Sequence, residues 1–469
     1  MKKNIVIIGA GISGLASAFR LSKYEESTGA GLDIVIVEKG NRIGGTILTE
    51  RTNEFVIEGG PDCFYTEKPD ALKLVKELGI SDRLIGTNNN NQGTFVLWKD
   101  RLHKLPEGVI LMIPTRFTSF ATSSLFSLKG KLRMGMELFV PGRKDGIDES
   151  LSEFTIRRFG KEALDRLAEP LVAGIHAGEP DTMSVRSSFP RFIEMEKRYR
   201  SLILGMLKAR KMMQKHSGNK SISMFMTMQT GLKEIIDKLY EQMKGVTIQT
   251  GVYAQDIETD NHGNYGVKLS DGKIIYADAV IIAAPAYSAG LLLRNLNKEL
   301  SELLISIPYV STATVSLAYS RYDFNHPLNG FGFVVPRKEK RNIMAGTWTS
   351  SKFSYRAPAN TVLIRCFVGG AGNDGIVFKP DHELLKLIQT DLKDIMGIEA
   401  KPILTRIYRW DKAMPQYTIG HEEKVKSIEQ YTSNLRRIYL SGSAYHGIGI
   451  SDCIKSGYKA SEDAFKDLF

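Results

Sequence analysis

The chain has 469 residues, enough for two or three domains around a large core. Its apolar share of 42% and charged share of 25% are those of an ordinary globular protein, and no apolar run is long enough to propose a membrane-spanning helix. Net charge is +11, from 63 basic and 52 acidic residues; this suits a polyanionic ligand or an anionic surface, and plain solubility equally well.

Three scattered cysteines, Cys63, Cys366 and Cys453, form no CxxC pair. They argue against a disulfide frame or structural zinc and fit a reducing compartment. The eight histidines show no metal-ligand spacing, so no metal site is assigned. Basic clusters at 197–200 and 208–211 read as solvated faces, and no nucleic-acid motif is present.

In chain order, residues 3–8 are an apolar run that reads as a buried parallel strand. It leads straight into Gly9-Ala10-Gly11-Ile12-Ser13-Gly14, which excludes a signal peptide there. A helix follows over 15–22. In this GxGxxG turn Gly9 permits the tight bend, Gly11 lets backbone approach a pyrophosphate, and Gly14 lets helix and strand pack closely. The helix N-terminus adds N–H groups and a positive dipole end. A second strand, 33–37, ends in Glu38, placed to accept ribose hydroxyls. The gap from Gly14 to Glu38 is slightly long, and residues 25–31 read as a surface loop that accounts for it. The continuation Lys39-Gly40-Asn41-Arg42-Ile43-Gly44-Gly45 matches the ExxxRxGG type of one flavoprotein superfamily, which favours FAD over NAD. Gly44 and Gly45 let backbone run beside the diphosphate, and Arg42 adds positive charge.

Two short strands are predicted at 46–51 and 54–58, then a turn at Gly59-Gly60-Pro61-Asp62. That turn could let the chain pass a flavin ring, although a purely structural bend is the plainer reading. Residues 66–80 read as a helix with Thr66 at its N-cap. Residues 95–98 and 101–105 form a hairpin across Lys99-Asp100. From 110 to 215 the pattern is mostly helical. Within it, 112–120 and the following helix mix apolar and basic residues; core packing is the commoner reason for such a stripe, and contact with a membrane surface the other. Residues 207–223 read as a mobile linker, 224–228 as a strand, and 231–243 as a helix. Strands are expected at 247–254, 266–270, 273–276 and 279–285, the last returning to the parallel sheet. Strands then dominate 305–370, a helix covers 381–396, a strand covers 435–442, and a glycine loop leads into a terminal helix from about Ser451.

The hexad, Glu38, Arg42 to Gly45, the Gly59 to Asp62 turn and the 279–285 strand resemble the monoamine oxidase–protoporphyrinogen oxidase superfamily of FAD enzymes. Residues 169–178, 201–206, 346–349, 414–417 with Gly420-His421, and 447–453 resemble its bacterial oxygen-dependent coproporphyrinogen III/protoporphyrinogen oxidases. Three departures stand out: Ser451 where the family has proline, Lys39 where a small residue follows the ribose acid, and the 207–223 segment.

The resemblance implies an α/β chain, α+β overall. A Rossmann-type FAD-binding domain is built from the discontinuous segments 1–90, 224–290 and 405–469. An antiparallel-sheet substrate domain takes 91–110 and 291–404, and a helical lobe that could face a membrane takes 111–223. It implies that residues 9–14 hold the diphosphate, Glu38 the ribose, and that Lys39 lies by the adenosine. Ala254 would make the adenine-side backbone contact. Gly59, Gly60, Pro61 and Asp62 would lie beside the isoalloxazine, Trp410 near the flavin, and Gly449 and Ile450 at its pyrimidine edge.

The implied activity is six-electron oxidation of coproporphyrinogen III, with protoporphyrinogen IX also accepted, using O2 and releasing H2O2 in heme biosynthesis. No side-chain base is required by that scheme and none is assigned. The product would pass to a ferrochelatase, and the location would be cytoplasmic, with peripheral contact at the inner membrane face. Two alternatives stay open: an amine- or carotenoid-type oxidase of the same superfamily, and a non-catalytic binding protein on the same fold.

Overall fold

The computed structural model describes residues 2–88, 93–110, 113–114, 116–143, 145–216, 223–260 and 263–469. Its first sheet is parallel and draws on both ends of the sequence. The strand Lys3–Ile8 (β1) pairs on one side with Leu32–Glu38 (β2) and on the other with Ala279–Ile282; Val246–Thr250 and Ile438–Leu440 form the edges. Ile5, Val6 and Ile7 are all completely buried, because both faces of β1 are covered. One face packs on the helix Ile12–Thr28 (α1), the helix Lys233–Gln242 and the terminal helix Ile450–Leu468, through Ile5, Ile7, Leu15, Phe19, Ile235 and Ile454. The other face packs through Val6, Ile8 and Val280 on a small antiparallel sheet of Ala254–Thr259, Tyr265–Leu269 and Ile274–Ala277.

The second sheet has seven strands in the order Leu404–Pro415, Tyr309–Ser320, Thr361–Gly369, Ala345–Trp348, Gly332–Val334, Thr94–Trp98, Arg101–Lys104. All its pairs are antiparallel except that of Gly332–Val334 with Thr94–Trp98. Lys99 and Asp100 adopt left-handed φ values of 52° and 56°, the turn that matches strand twist in a two-residue hairpin. Helices from the 117–216 region pack against this sheet, joining Phe154, Leu167, Val172 and Phe192 to Val96, Val334 and Ala345.

Several sequence expectations are corrected. Glu25 to Thr28 continue α1, whose good helix formers carry it to a left-handed Gly29; only Gly29 to Gly31 form the loop, and Glu25 Oε2 accepts from the N–H groups of Gly31 and Leu32. The helix placed at 66–80 is Asp70–Glu77, preceded by Pro69. Thr66 is no cap: its hydroxyl donates to the carbonyls of Ser223 and Met224. Residues 207–216 are the end of a helix, Leu202–His216, because Lys, Arg, Met and Gln sustain a helix without marking a periodic face; the rest of that expected linker, at 217–222, lies outside the described residues, as do Met112 and Thr115 of the apolar-basic stripe. The expected 247–254 strand breaks at residues 251–253 into two strands of different sheets. The strand Leu404–Pro415 and the helices Ala286–Leu293, Lys298–Ile305 and His421–Ser433 are additions.

Candidate active site

The carboxyl end of β1 is the starting point. Gly9 has φ +105°, a left-handed conformation that L side chains rarely adopt, and a Cβ there would press on the carbonyl of Ala283. A Cβ on Gly14 would collide with the carbonyl of Gly9, so α1 leaves the strand at backbone contact. Gly11 differs from both: a Cβ there meets nothing within 4 Å. The space over Gly11 is open, and it lies at the N-cap of α1, where no described side chain caps the helix and no acid sits in the first turn. An anion placed there meets helix N–H groups and a positive dipole end. Ala10 and Ser13 turn their side chains into the core, and Ile12 is partly buried, so this segment presents backbone.

Three further segments close around this turn. The Gly44 N–H donates to the Ala10 carbonyl at 2.8 Å, and a Cβ on Gly45 would lie 3.0 Å from the Gly11 Cα. Arg42 spends its guanidinium on the carbonyls of Ile43, Ile47 and Gly45, at 3.2, 3.2 and 2.5 Å. Its role is therefore to hold the Gly44-Gly45 bend as well as to supply charge. The Glu38 carboxylate accepts from Ala10 N and Gly40 N, both at 2.7 Å, and each oxygen keeps a lone pair for another donor. Lys39 Nζ lies 5.6 Å from the ring centroid of Tyr253, next to Ala254. These residues fit a dinucleotide: an open cradle with free N–H groups at one point, and a fixed carboxylate at the end of β2.

Arg42 and Trp410 link this turn to the Gly59-Gly60-Pro61-Asp62 turn. Arg42 lies 6.0 Å from the Trp410 ring, and Trp410 Nε1 donates to the Gly59 carbonyl at 2.8 Å. Gly60 has no room for a side chain, because the Thr46 carbonyl occupies its Cβ position. Behind the turn is a cluster that sequence reasoning missed. Lys352 Nζ pairs with Asp62 Oδ2 at 2.8 Å, Arg365 donates to the Gly60 carbonyl, and Arg356 and Glu58 are buried beside them. Burial raises the Glu58 carboxyl to about 7, against the hydrogen bonds from Thr49 and Leu232 and the nearby Arg356 and Arg365. Burial would also raise Asp62, but Lys352 and Arg365 outweigh it and hold that carboxyl well below the usual range. The signal that could have found these residues is weak: isolated cations nearly three hundred residues downstream, in strand-rich sequence.

The remaining predicted residues lie at the N-terminus of the terminal helix, capped at Gly449. Ile450 is buried in the same core as Ala10, so it can offer only backbone. Asp452, in the first turn, accepts from Gly449 N at 3.1 Å and pairs with Lys68 Nζ at 2.6 Å. Ser451 explains its departure from proline: its hydroxyl donates to the Lys68 carbonyl and accepts from Ala71 N, supplying a cap to a helix whose N-cap is Pro69. Three of the segments that carried the family resemblance meet here. Tyr417 donates to the Ser443 carbonyl at 2.6 Å and accepts from Gly447 N at 2.7 Å, while Gln416 Nε2 donates to the His176 carbonyl at 3.1 Å. Burial lowers His176 to about 4, with Lys68 adding to the shift, so its ring is neutral near pH 7. The other two segments lie elsewhere: Trp348 is in the core of the seven-stranded sheet, and Ser201 bonds Glu137 in the helical lobe.

A parallel sheet with a glycine turn at the end of its central strand, an open anion cradle and an acid at the end of β2 define the dinucleotide-binding class of α/β protein. Within that class the family is specific. The model of the flavin-containing amine oxidoreductases matches residues 12–464, and the chain belongs to that family: it is an FAD-dependent oxidoreductase. The chain is 37% identical to the coproporphyrinogen III oxidase of Bacillus subtilis (strain 168), covering 100% of this chain and 99% of that one. It is 32% identical to the coproporphyrinogen III oxidase of Staphylococcus aureus (strain NCTC 8325 / PS 47), with 100% of both covered. A crystal structure from Exiguobacterium sp. 255-15, provisionally assigned as a protoporphyrinogen oxidase, is 31% identical, with a TM-score of 0.87 over 100% of this chain and 99% of that chain.

Proposed function

We propose that this chain oxidises coproporphyrinogen III to coproporphyrin III in heme biosynthesis, in three cycles that each consume one O2 and release one H2O2, and that it also accepts protoporphyrinogen IX. The observation that carries this reading is the end-to-end likeness to two coproporphyrinogen III oxidases, combined with the hydrogen bonds that join residues 169–178, 414–417 and 447–453. FAD, when bound, supplies a hydride acceptor that O2 can reoxidise.

The chain's own residues do the rest. Gly9, Ala10, Gly11, Ile12, Ser13 and Gly14, with Gly44 and Gly45, present backbone to the diphosphate, and Arg42 braces that surface. Glu38 takes the ribose hydroxyls, with Lys39 and Ala254 at the adenosine end. Gly59, Gly60, Pro61, Asp62 and Trp410 form the wall beside the flavin ring. Gly449 and Ile450 place the positive end of the terminal helix at the pyrimidine edge, where negative charge gathers on reduction.

The corresponding domains are 1–90, 224–290 and 405–469 for FAD, 91–110 and 291–404 for substrate, and 111–223 for the helical lobe. The strand Leu404–Pro415 serves two of them, hydrogen-bonding in the seven-stranded sheet while carrying Trp410 to the Gly59 carbonyl. We place the protein in the cytoplasm, in peripheral contact with the membrane through the helical lobe, from which a ferrochelatase would receive the porphyrin. The support is the helix Leu128–Gly135 and the turn after it, where Leu128, Leu132, Met136 and Phe139 are 79%, 72%, 56% and 84% exposed. Among the described residues no helix is long and apolar enough to cross a membrane.

Steady-state kinetics on both porphyrinogens, followed by porphyrin fluorescence and H2O2 release, test the activity. A larger kcat/KM on coproporphyrinogen III is expected. Turnover of amines alone, or a purified protein that never carries flavin, would overturn the reading.

A further inference from the structure

The cluster behind the Gly59–Asp62 turn holds more positive than negative charge. Among the described residues, Lys352, Arg356 and Arg365 face only two carboxylates, those of Asp62 and Glu58. Arg356 and Glu58 are 1% and 2% exposed, and Arg365 is 3% exposed. The Lys352 and Asp62 side chains keep 14% and 15% of their surface. Arg356 is satisfied by the carbonyls of Gln229 and Met228 and the Thr227 hydroxyl. Arg365 is not: its Nε is buried without a hydrogen-bond partner among the described residues, while another guanidinium nitrogen holds the Gly60 carbonyl. Lys352 bridges Asp62 and the neighbouring Cys63, with Sγ 3.7 Å from Nζ. A buried surplus of cations is costly unless an anion answers it, and the charged groups of the cluster itself do not balance it.

We propose that this cluster sets the reduction potential of the bound flavin, with Lys352 and Arg365 as positioning residues whose charge favours the reduced, more negative state. The inference rests on the reading that residues 59–62 lie beside the flavin ring. Reduction by a hydride adds two electrons and one proton to FAD, leaving it one unit more negative than before. A net positive field behind the ring stabilises that added charge, and Asp62, by pairing with Lys352, sets how much of the field is felt.

The test is the reduction potential of the FAD-loaded protein, measured against a reference dye, for wild type, Lys352→Met, Lys352→Arg and Asp62→Asn. Lys352→Met is expected to disfavour reduction by tenfold or more, a downward shift of about 30 mV per tenfold for a two-electron couple. Asp62→Asn should shift the potential upward, and Lys352→Arg should stay near wild type. Loss of a merely structural ion pair would not move the two neutralising variants in opposite directions. Should Lys352→Met fail to fold, the sign of the Asp62→Asn shift decides alone: upward supports the proposal, and downward or unchanged overturns it. Shifts below twofold in a protein that retains FAD overturn this inference and leave the cofactor assignment standing. A wild-type protein that holds no FAD overturns both.

Discussion

Gly11 and Gly14 are three residues apart and have opposite reasons to be glycine. At Gly14 the excluded volume belongs to the chain, since a Cβ would collide with the Gly9 carbonyl. At Gly11 the volume is empty, and its backbone angles, φ −69° and ψ 175°, suit any residue. Gly11→Val should therefore fold with a far-ultraviolet spectrum and melting temperature close to wild type, yet purify without the visible absorbance of flavin. Gly14→Ala should instead fail to accumulate as folded protein, a loss of several kcal/mol from forcing helix and strand apart. Full flavin occupancy in Gly11→Val would sink the placement of the diphosphate. The geometry of this part of the candidate site was legible in the sequence because it is local: turn, helix start and the carboxylate at the end of β2 lie within forty residues. Lys352 and Arg365 were not, because pairing a lysine at 352 with an aspartate at 62 depends on how two sheets meet, and no local pattern records it.

Between residue and domain, the helical lobe depends on buried charge. Arg158 is fully buried, with Glu137 at 3.2 Å and Glu196 at 2.6 Å, and its Nη atoms hold the carbonyls of Val140 and Arg200. Glu137 in turn accepts from Ser201 Oγ and Leu202 N, so it caps the helix Leu202–His216 from outside its own sequence. Arg158→Met removes the arginine paired with Glu137 and one of the two on Glu196, which keeps Arg157 at 2.6 Å; stranding Glu137 should cost about 3–5 kcal/mol, read as a lower urea midpoint and earlier proteolysis within the lobe. A change below about 1 kcal/mol would show that the lobe does not depend on this ion pair. Helices of this lobe were legible from their periodicity, whereas its ion network was not. The twelve-residue strand Leu404–Pro415 was missed for a related reason. It is a sheet edge carrying Arg406, Arg409 and Lys412, and the charges that protect an edge also erase the apolar alternation by which strands are recognised.

At the scale of the molecule, the exposed row Leu128, Leu132, Met136 and Phe139, beside Lys129 and Lys131, would serve as a shallow anchor in an anionic bilayer. Core packing, the commoner explanation for the stripe that begins at 112–120, holds for Ile113, Phe120, Leu125, Phe126 and Met134, but these four side chains stay exposed. The protein should co-sediment with vesicles containing anionic lipid, less with neutral ones, and less again at high salt. Leu132→Glu with Phe139→Glu should weaken binding at least tenfold, since each buried apolar side chain contributes about 1.5–3 kcal/mol; unchanged sedimentation would count against the lobe as the contact.

The parallel sheet has an implication for how the protein is made. Its strands begin at residues 3, 32, 246, 279 and 438, and the terminal helix, which packs on the sheet, begins at 450. The glycine turn leaves the ribosome more than four hundred residues before the strand and helix that complete its surroundings. Long-range pairing of this kind folds slowly and exposes unpaired edges meanwhile. A nascent chain can begin the cradle early but cannot enclose a cofactor until synthesis has passed the terminal helix. Cofactor capture is then a late event, and ligand that binds only the finished fold would draw the slow last steps to completion.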